Sequence, residues 1–162
     1  MDERLQDLYA SAADLPPGCG LEGTGDPEEC LAGMVYDYVK DGGDIMTLVS
    51  GWFRKTKNVP EGALVVGLLA LYGLILKEPD ISSKASIEIS TLLHELVNHE
   101  SANVRFWAVI CITFMQQGKF IPDSAGTAIV LTNRLCVEGD ERVADEIRQV
   151  LTILPSPSRS LL

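Results

Sequence analysis

The sequence predicts an all-α fold, and three observations predict it. Apolar residues recur at three- and four-residue spacing along most of the chain, as on one face of a helix. No segment sustains the two-residue alternation of a half-buried strand. Proline, glycine and capping residues interrupt the periodic stretches at helix-length intervals. With 162 residues, 46% of them hydrophobic, the chain is long enough to bury a sizeable core in one domain.

Taken in order, the opening residues carry Leu5, Leu8 and Tyr9 at helical spacing and stop at Pro16, Pro17 and Gly18. Asp26, Pro27, Glu28 and Glu29 then set out an N-cap, a first-turn proline and acidic residues that complement the helix dipole. Cys30, Leu31, Met34, Val35, Tyr38 and Val39 make one apolar stripe, which Gly42 and Gly43 end. Asp44 can cap a third helix with Ile45, Leu48, Val49, Trp52 and Phe53 facing inward. Pro60 opens the longest apolar run, GALVVGLLALYGLIL at 62–76, which reads as a helix buried on most sides. Residues 77–83 read as a connector, followed by helices near 84–98, 101–117, 123–138 and 140–154. Residues 155–162 read as a flexible tail with no core to join.

The charge is unevenly placed. Residues 1–44 hold eleven acids against two bases, a net of −9, whereas residues 45–162 hold twelve against eleven, a net of −1. An acidic chain of this kind repels phosphate backbones and anionic membranes, so a basic protein is the easier partner and nucleic acid is disfavoured. The first ten residues lack the basic start and apolar core of a signal peptide. The 62–76 run is shorter than the ~20 residues needed to span a bilayer. The expectation is a cytoplasmic protein with no membrane partner.

A 39-residue shift lays Leu92, Leu96 and Val97 on Leu131, Leu135 and Cys136. The same shift lays Val104, Ala108, Cys111 and Ile112 on Val143, Ile147, Val150 and Leu151. Each unit is a helix pair, and a fainter third unit covers 44–57 and 60–76. NVRFWAVICI, residues 103–112, resembles the HEAT repeat pattern of a small polar residue, Val-Arg, then alanine and apolar residues at helical spacing. In DERVADEIRQVL, residues 140–151, Ala144 stands where that arginine belongs. The chain thus resembles the HEAT/armadillo class over residues 84–154, and more weakly over 44–77. The resemblance implies a short right-handed α-α superhelix across 44–154, with residues 1–43 as an acidic N-terminal helical cap. The last helix puts Val143, Ile147, Val150, Leu151 and Leu154 on one face and polar residues elsewhere, as a terminal repeat requires.

Motifs for chemistry are sparse. LLHELVNHE contains both histidines, but His99 falls five residues after His94, not four as in HExxH. On a helix the two rings then point about 140° apart and cannot share one zinc ion. GCGLEG at 18–23 spells GxGxxG but lacks the preceding strand of a dinucleotide site. Cys111 and Cys136 read as small core hydrophobes, and Cys19 and Cys30 as two loop thiols or a loop-closing disulfide. Asp37, Asp41 and Asp44 lack the EF-hand register and read as capping and loop residues. The basic cluster Arg54, Lys55 and Lys57 complements the C-terminal dipole of its helix. No catalytic motif or cofactor fingerprint is present.

These readings predict a non-catalytic scaffold or adaptor that binds another protein or peptide. The resemblance implies that second helices line the inner face, which makes Arg105, Phe106 and Trp107 candidate anchors, with Arg54, Lys55 and Lys57 as further contributors. Two alternatives stay open: a nucleic-acid-associated HEAT-like protein using those same bases, and an enzyme joining His94 or His99 to a cysteine or carboxylate across the fold.

Overall fold

The computed structural model describes residues 27–44 and 61–155, together with Glu3, Gln6, Asp7, Ala10 and Thr47; the side chains of 27–31 are outside the description. The described residues form seven α-helices and no strand: α1 (Pro27–Lys40), α2 (Glu61–Lys77), α3 (Pro79–Lys84), α4 (Ser86–Leu96), α5 (Ala102–Gln117), α6 (Ser124–Leu135) and α7 (Glu141–Ile153). All-α is therefore correct at the level of class. The expected helix holding Trp52 and Phe53, the loop at 16–25 and the 156–162 part of the tail lie outside the described residues.

The local chemistry of the sequence accounts for where these helices start. Ser101 caps α5 by accepting the Val104 N–H, Asp123 caps α6 through Gly126, and Asp140 caps α7 through Arg142 and Val143. Helix α1 begins at Pro27, the residue whose missing N–H is harmless in a first turn. It ends in a Schellman turn in which Gly42 donates to the Val39 carbonyl and Gly43 to that of Tyr38. Gly42 has φ +104°, a conformation open to glycine and strained for other residues. Beyond that turn, the Asp44 carboxylate accepts from the Thr47 hydroxyl at 3.0 Å; the helix that Asp44 is expected to cap lies outside the described residues.

Residues 77–83 are not simply a connector: α3 forms one and a half turns there, with Pro79 in its first turn and Asp80 behind it. Six residues are too few to show a period, which hid this helix in the sequence.

Helix α2 is the centre of the core. It packs between α1 and α5, with Ala63, Leu64, Val65, Val66, Leu68 and Leu71 at 0–2% exposure. Helix α5 in turn packs against α2, α4 and α7, and α6 packs on α7. The result is a row α1, α2, α5, α7, with α4 lying on α5 and α6 on α7. From α1, Val35, Tyr38 and Val39 are buried, and each such side chain is worth about 1.5–3 kcal/mol of burial. No helix among the described residues is long and apolar enough to cross a membrane.

Candidate functional site

Helix α5 carries most of the candidate residues, and its register separates them. At about 100° per residue, Asn103, Phe106, Trp107, Ile110 and Phe114 fall within one stripe about 100° wide. These five are partly buried, while Val104, Arg105, Ala108, Val109, Cys111 and Ile112 fill the buried arc. The stripe is aromatic and continues onto α2: Tyr72 meets Phe114 edge-on at 5.1 Å between ring centres and Trp107 at 6.1 Å. Phe106 meets Trp107 at 5.6 Å, and the Arg142 guanidinium of α7 lies 5.8 Å from the Phe106 ring centre. The indole N–H of Trp107 is buried and has no hydrogen-bond partner among the described residues.

Arg105 belongs elsewhere. Only 7% exposed, it sits on the buried arc and is fully engaged within the chain. Its Nε and Nη2 donate to the two oxygens of Glu138 at 2.8 Å each, and Nη1 donates to the carbonyls of His99 and Glu100. Arg134 adds a second guanidinium to Glu138 at 2.9 Å. The expectation of an exposed Arg105 is thereby corrected, because the turn between α6 and α7 brings a carboxylate to meet it. Burial alone would raise the Glu138 carboxyl, but hydrogen bonds from Arg105, the Asp140 N–H and Arg134 outweigh it and hold the pKa at about 2.

A second polar run crosses the starts of three helices. Glu61 Oε1 accepts from the Ser101 hydroxyl at 2.7 Å and from Asn103 Nδ2 at 2.8 Å, and Asn103 Oδ1 accepts from Arg142 at 3.2 Å. Glu61 opens α2, Asn103 lies in the first turn of α5 and Arg142 in that of α7, so this run fixes the row in register. Neither Glu61 nor Glu138 stands out in the sequence. The one available signal was that Glu138 precedes its N-cap by two residues, as His99 does.

The histidines are separately occupied. The Thr127 hydroxyl gives its proton to the Asp123 carbonyl at 2.8 Å, so its oxygen accepts from His94 Nε2 at 2.9 Å, pinning α4 to α6. Nδ1 of His99 accepts the Ser101 N–H at 3.0 Å, which requires the neutral ring. Burial pushes both pKa values down, with Asp123 partly offsetting it at His94 and Glu100 and Glu61 at His99. Among the described residues no three His, Cys, Asp or Glu side chains are grouped to hold a metal ion.

The thiol of Cys111 is fully buried, donates to the Leu68 carbonyl at 3.5 Å and has its pKa pushed up by burial, which makes it inert as a nucleophile. Cys136, expected in the core, is exposed at the end of α6, a helix with α7 as its main neighbour. Arg54, Lys55, Lys57, Cys19 and the side chain of Cys30 lie outside the described residues. No family model, no curated protein and no solved structure matches this chain.

Proposed function

We propose that this chain is a short helical-repeat protein of the HEAT/armadillo type that acts as a non-catalytic scaffold in the cytoplasm, holding a protein or peptide against the outward stripe of α5. The repeat reading is supported by pairs of positions 39 residues apart. The N-cap N–H groups of Ser101 and Asp140 donate to side chains two residues earlier, His99 and Glu138, at 3.0 and 2.9 Å. Val104, Ala108 and Cys111 are as fully buried as their counterparts Val143, Ile147 and Val150.

The observation that carries the binding function is the run of partly exposed apolar side chains Phe106, Trp107, Ile110 and Phe114 on a helix whose other faces are packed. Aromatic residues at a rigid, partly desolvated surface are common binding anchors. Beside them α7 presents Asp145, Glu146 and Gln149 at the positions equivalent to Phe106, Trp107 and Ile110, which favours a partner with basic residues next to its apolar ones. Residues 1–43 serve in this reading as an acidic cap on the first repeat.

The test is affinity capture from the native cell with the wild-type chain and an F106A/I110A variant, both checked for helicity by circular dichroism. Loss of at least about tenfold in capture of a specific protein by the folded variant is expected, since each anchor is worth more than 1 kcal/mol. Equal capture by both chains removes this face from consideration.

A further inference from the structure

The N-cap residues of α5 and α7 are each tied through their N–H to a side chain two positions earlier, but the two ties differ in chemistry. At Asp140 the acceptor is the Glu138 carboxylate, which keeps its charge down to a pKa of about 2. At Ser101 it is Nδ1 of His99, at 3.0 Å. A ring nitrogen accepts a hydrogen bond only while it carries no proton, so this tie exists only for the neutral imidazole. His94 is different. Its Nε2–H donates to the Thr127 oxygen, and an imidazole protonated at both nitrogens still donates there. A proton therefore breaks the His99 tie and spares that of His94.

Ser101 carries more than this one bond. Its hydroxyl donates to Glu61 at 2.7 Å, the same Glu61 oxygen accepts from Asn103, and Asn103 accepts from Arg142. The start of α5 is thus joined to α2 and α7 beside the residue that His99 holds. The charged groups facing His99 are Glu100 in the turn, Glu61 of α2 and Arg105 of α5. The guanidinium of Arg105 donates to the His99 carbonyl and is balanced by Glu138 from the turn between α6 and α7. A proton on Nδ1 would point at the Ser101 N–H, donor against donor, and the ring would have to turn out of that contact.

We infer that the turn between α4 and α5 is a proton-operated latch, in which protonation of His99 frees the Ser101 N–H and draws Glu61 away from Ser101 and Asn103. The start of α5 is thereby released from α2 and α7. Burial pushes the His99 pKa below the ordinary 6.5, with Glu100 and Glu61 partly offsetting it and Arg105 adding to it, so release requires acidification. The stability that the tie contributes is complete above the unfolded value of about 6.5 and is lost as pH falls from there through the folded value. Glu138 stays ionised throughout that window, so the start of α7 remains held.

Nitrogen-15 NMR of the full chain, titrated from about pH 8 to 5, tests the inference. At the upper end His99 should carry its proton on Nε2, with a coupling across the hydrogen bond from the Ser101 N–H to Nδ1. On acidification that coupling should disappear. The Asn103 side-chain amide and Arg142 guanidinium signals should shift with the midpoint of the His99 ring, while the Asp140 amide stays in place. His99→Gln keeps an acceptor that does not titrate, and should abolish the Asn103 and Arg142 shifts; His94→Gln should leave them. A proton on Nδ1 at the upper end overturns the inference, as does a His99 ring that titrates while Asn103 and Arg142 stay still. Persistence of those shifts in folded His99→Gln does the same, and the wild-type titration decides by itself if that variant does not fold.

Discussion

At the scale of single residues, the strongest interactions sit where charge is buried. The Glu138 side chain is fully buried, and its two oxygens take three guanidinium hydrogen bonds and one backbone N–H. Replacing it with alanine strands Arg105 without its counter-charge, so Glu138→Ala should destabilise the chain by about 3–5 kcal/mol in urea denaturation at neutral pH. The pH dependence has a definite sign. The folded pKa of Glu138, about 2, lies below the ordinary 4.5, so the folded state favours the carboxylate. Its contribution is complete above about pH 4.5 and is lost as pH falls toward 2. The stability gap between the wild type and Glu138→Ala should therefore narrow through that window; a gap constant from pH 7 to 3 would contradict the assignment. Ser82 is the opposite case, a fully buried residue whose hydroxyl has no partner among the described residues. Ser82→Ala removes a desolvated polar group, and denaturation should show it neutral or more stable by up to about 1 kcal/mol.

At the scale of elements, two helices end in the same turn made from different residues. Helix α1 uses Gly42 and Gly43, and a Cβ on Gly43 would collide with the carbonyl oxygen and ring of Tyr38. Helix α5 closes with Lys119 donating to Gln116 and Phe120 donating to Met115, so Lys119 holds the left-handed position at φ 60°. A lysine there costs about 1 kcal/mol relative to glycine. Lys119→Gly should accordingly raise the melting temperature by about 2–4 °C. Gly43→Ala should destabilise by about 1–3 kcal/mol, because the rigid carbonyl of Tyr38 cannot yield to the added methyl. A calorimetric scan of the two variants checks both signs, and a destabilised Lys119→Gly would show that its side chain has contacts that matter more than its backbone strain.

At the scale of the whole molecule, stability depends on who covers α2. Its apolar residues run round nearly the full helix, and α1 supplies one of the packed neighbours through Val35, Tyr38 and Val39. Tyr36 adds a polar tie, its hydroxyl donating to Glu78 at 3.3 Å and its ring lying about 6 Å from the ammonium groups of Lys40 and Lys77. Removing residues 1–43 strips this cover from α2, and an exposed apolar face of that size drives association. The truncated chain should aggregate or elute as large species in size-exclusion chromatography. A monomeric truncation with unchanged melting behaviour would instead make the segment a separable acidic arm.

The sequence by itself determined the local features of this protein. Period, caps and breakers located α1, α2 and α4 to α7 to within a few residues, because those signals act over one or two helical turns. The contact of Trp107 and Phe114 with Tyr72 of the preceding helix belongs to the packing of α5 on α2. Part of the Arg105 result was legible too: at position 105 the residue lies beside Ala108, Val109 and Ile112 on the buried arc, not with Phe106 and Trp107. What no local signal contained was the partner that makes its burial tolerable. Glu138 is 33 residues away in sequence, as Thr127 is from His94, and both meetings are set by how one helix pair lies on the next. The same holds for Cys136, whose exposure reflects which neighbours α6 has and not its own helical position. Helical periodicity fixes the direction in which a side chain points, and only the tertiary packing decides what stands there to meet it.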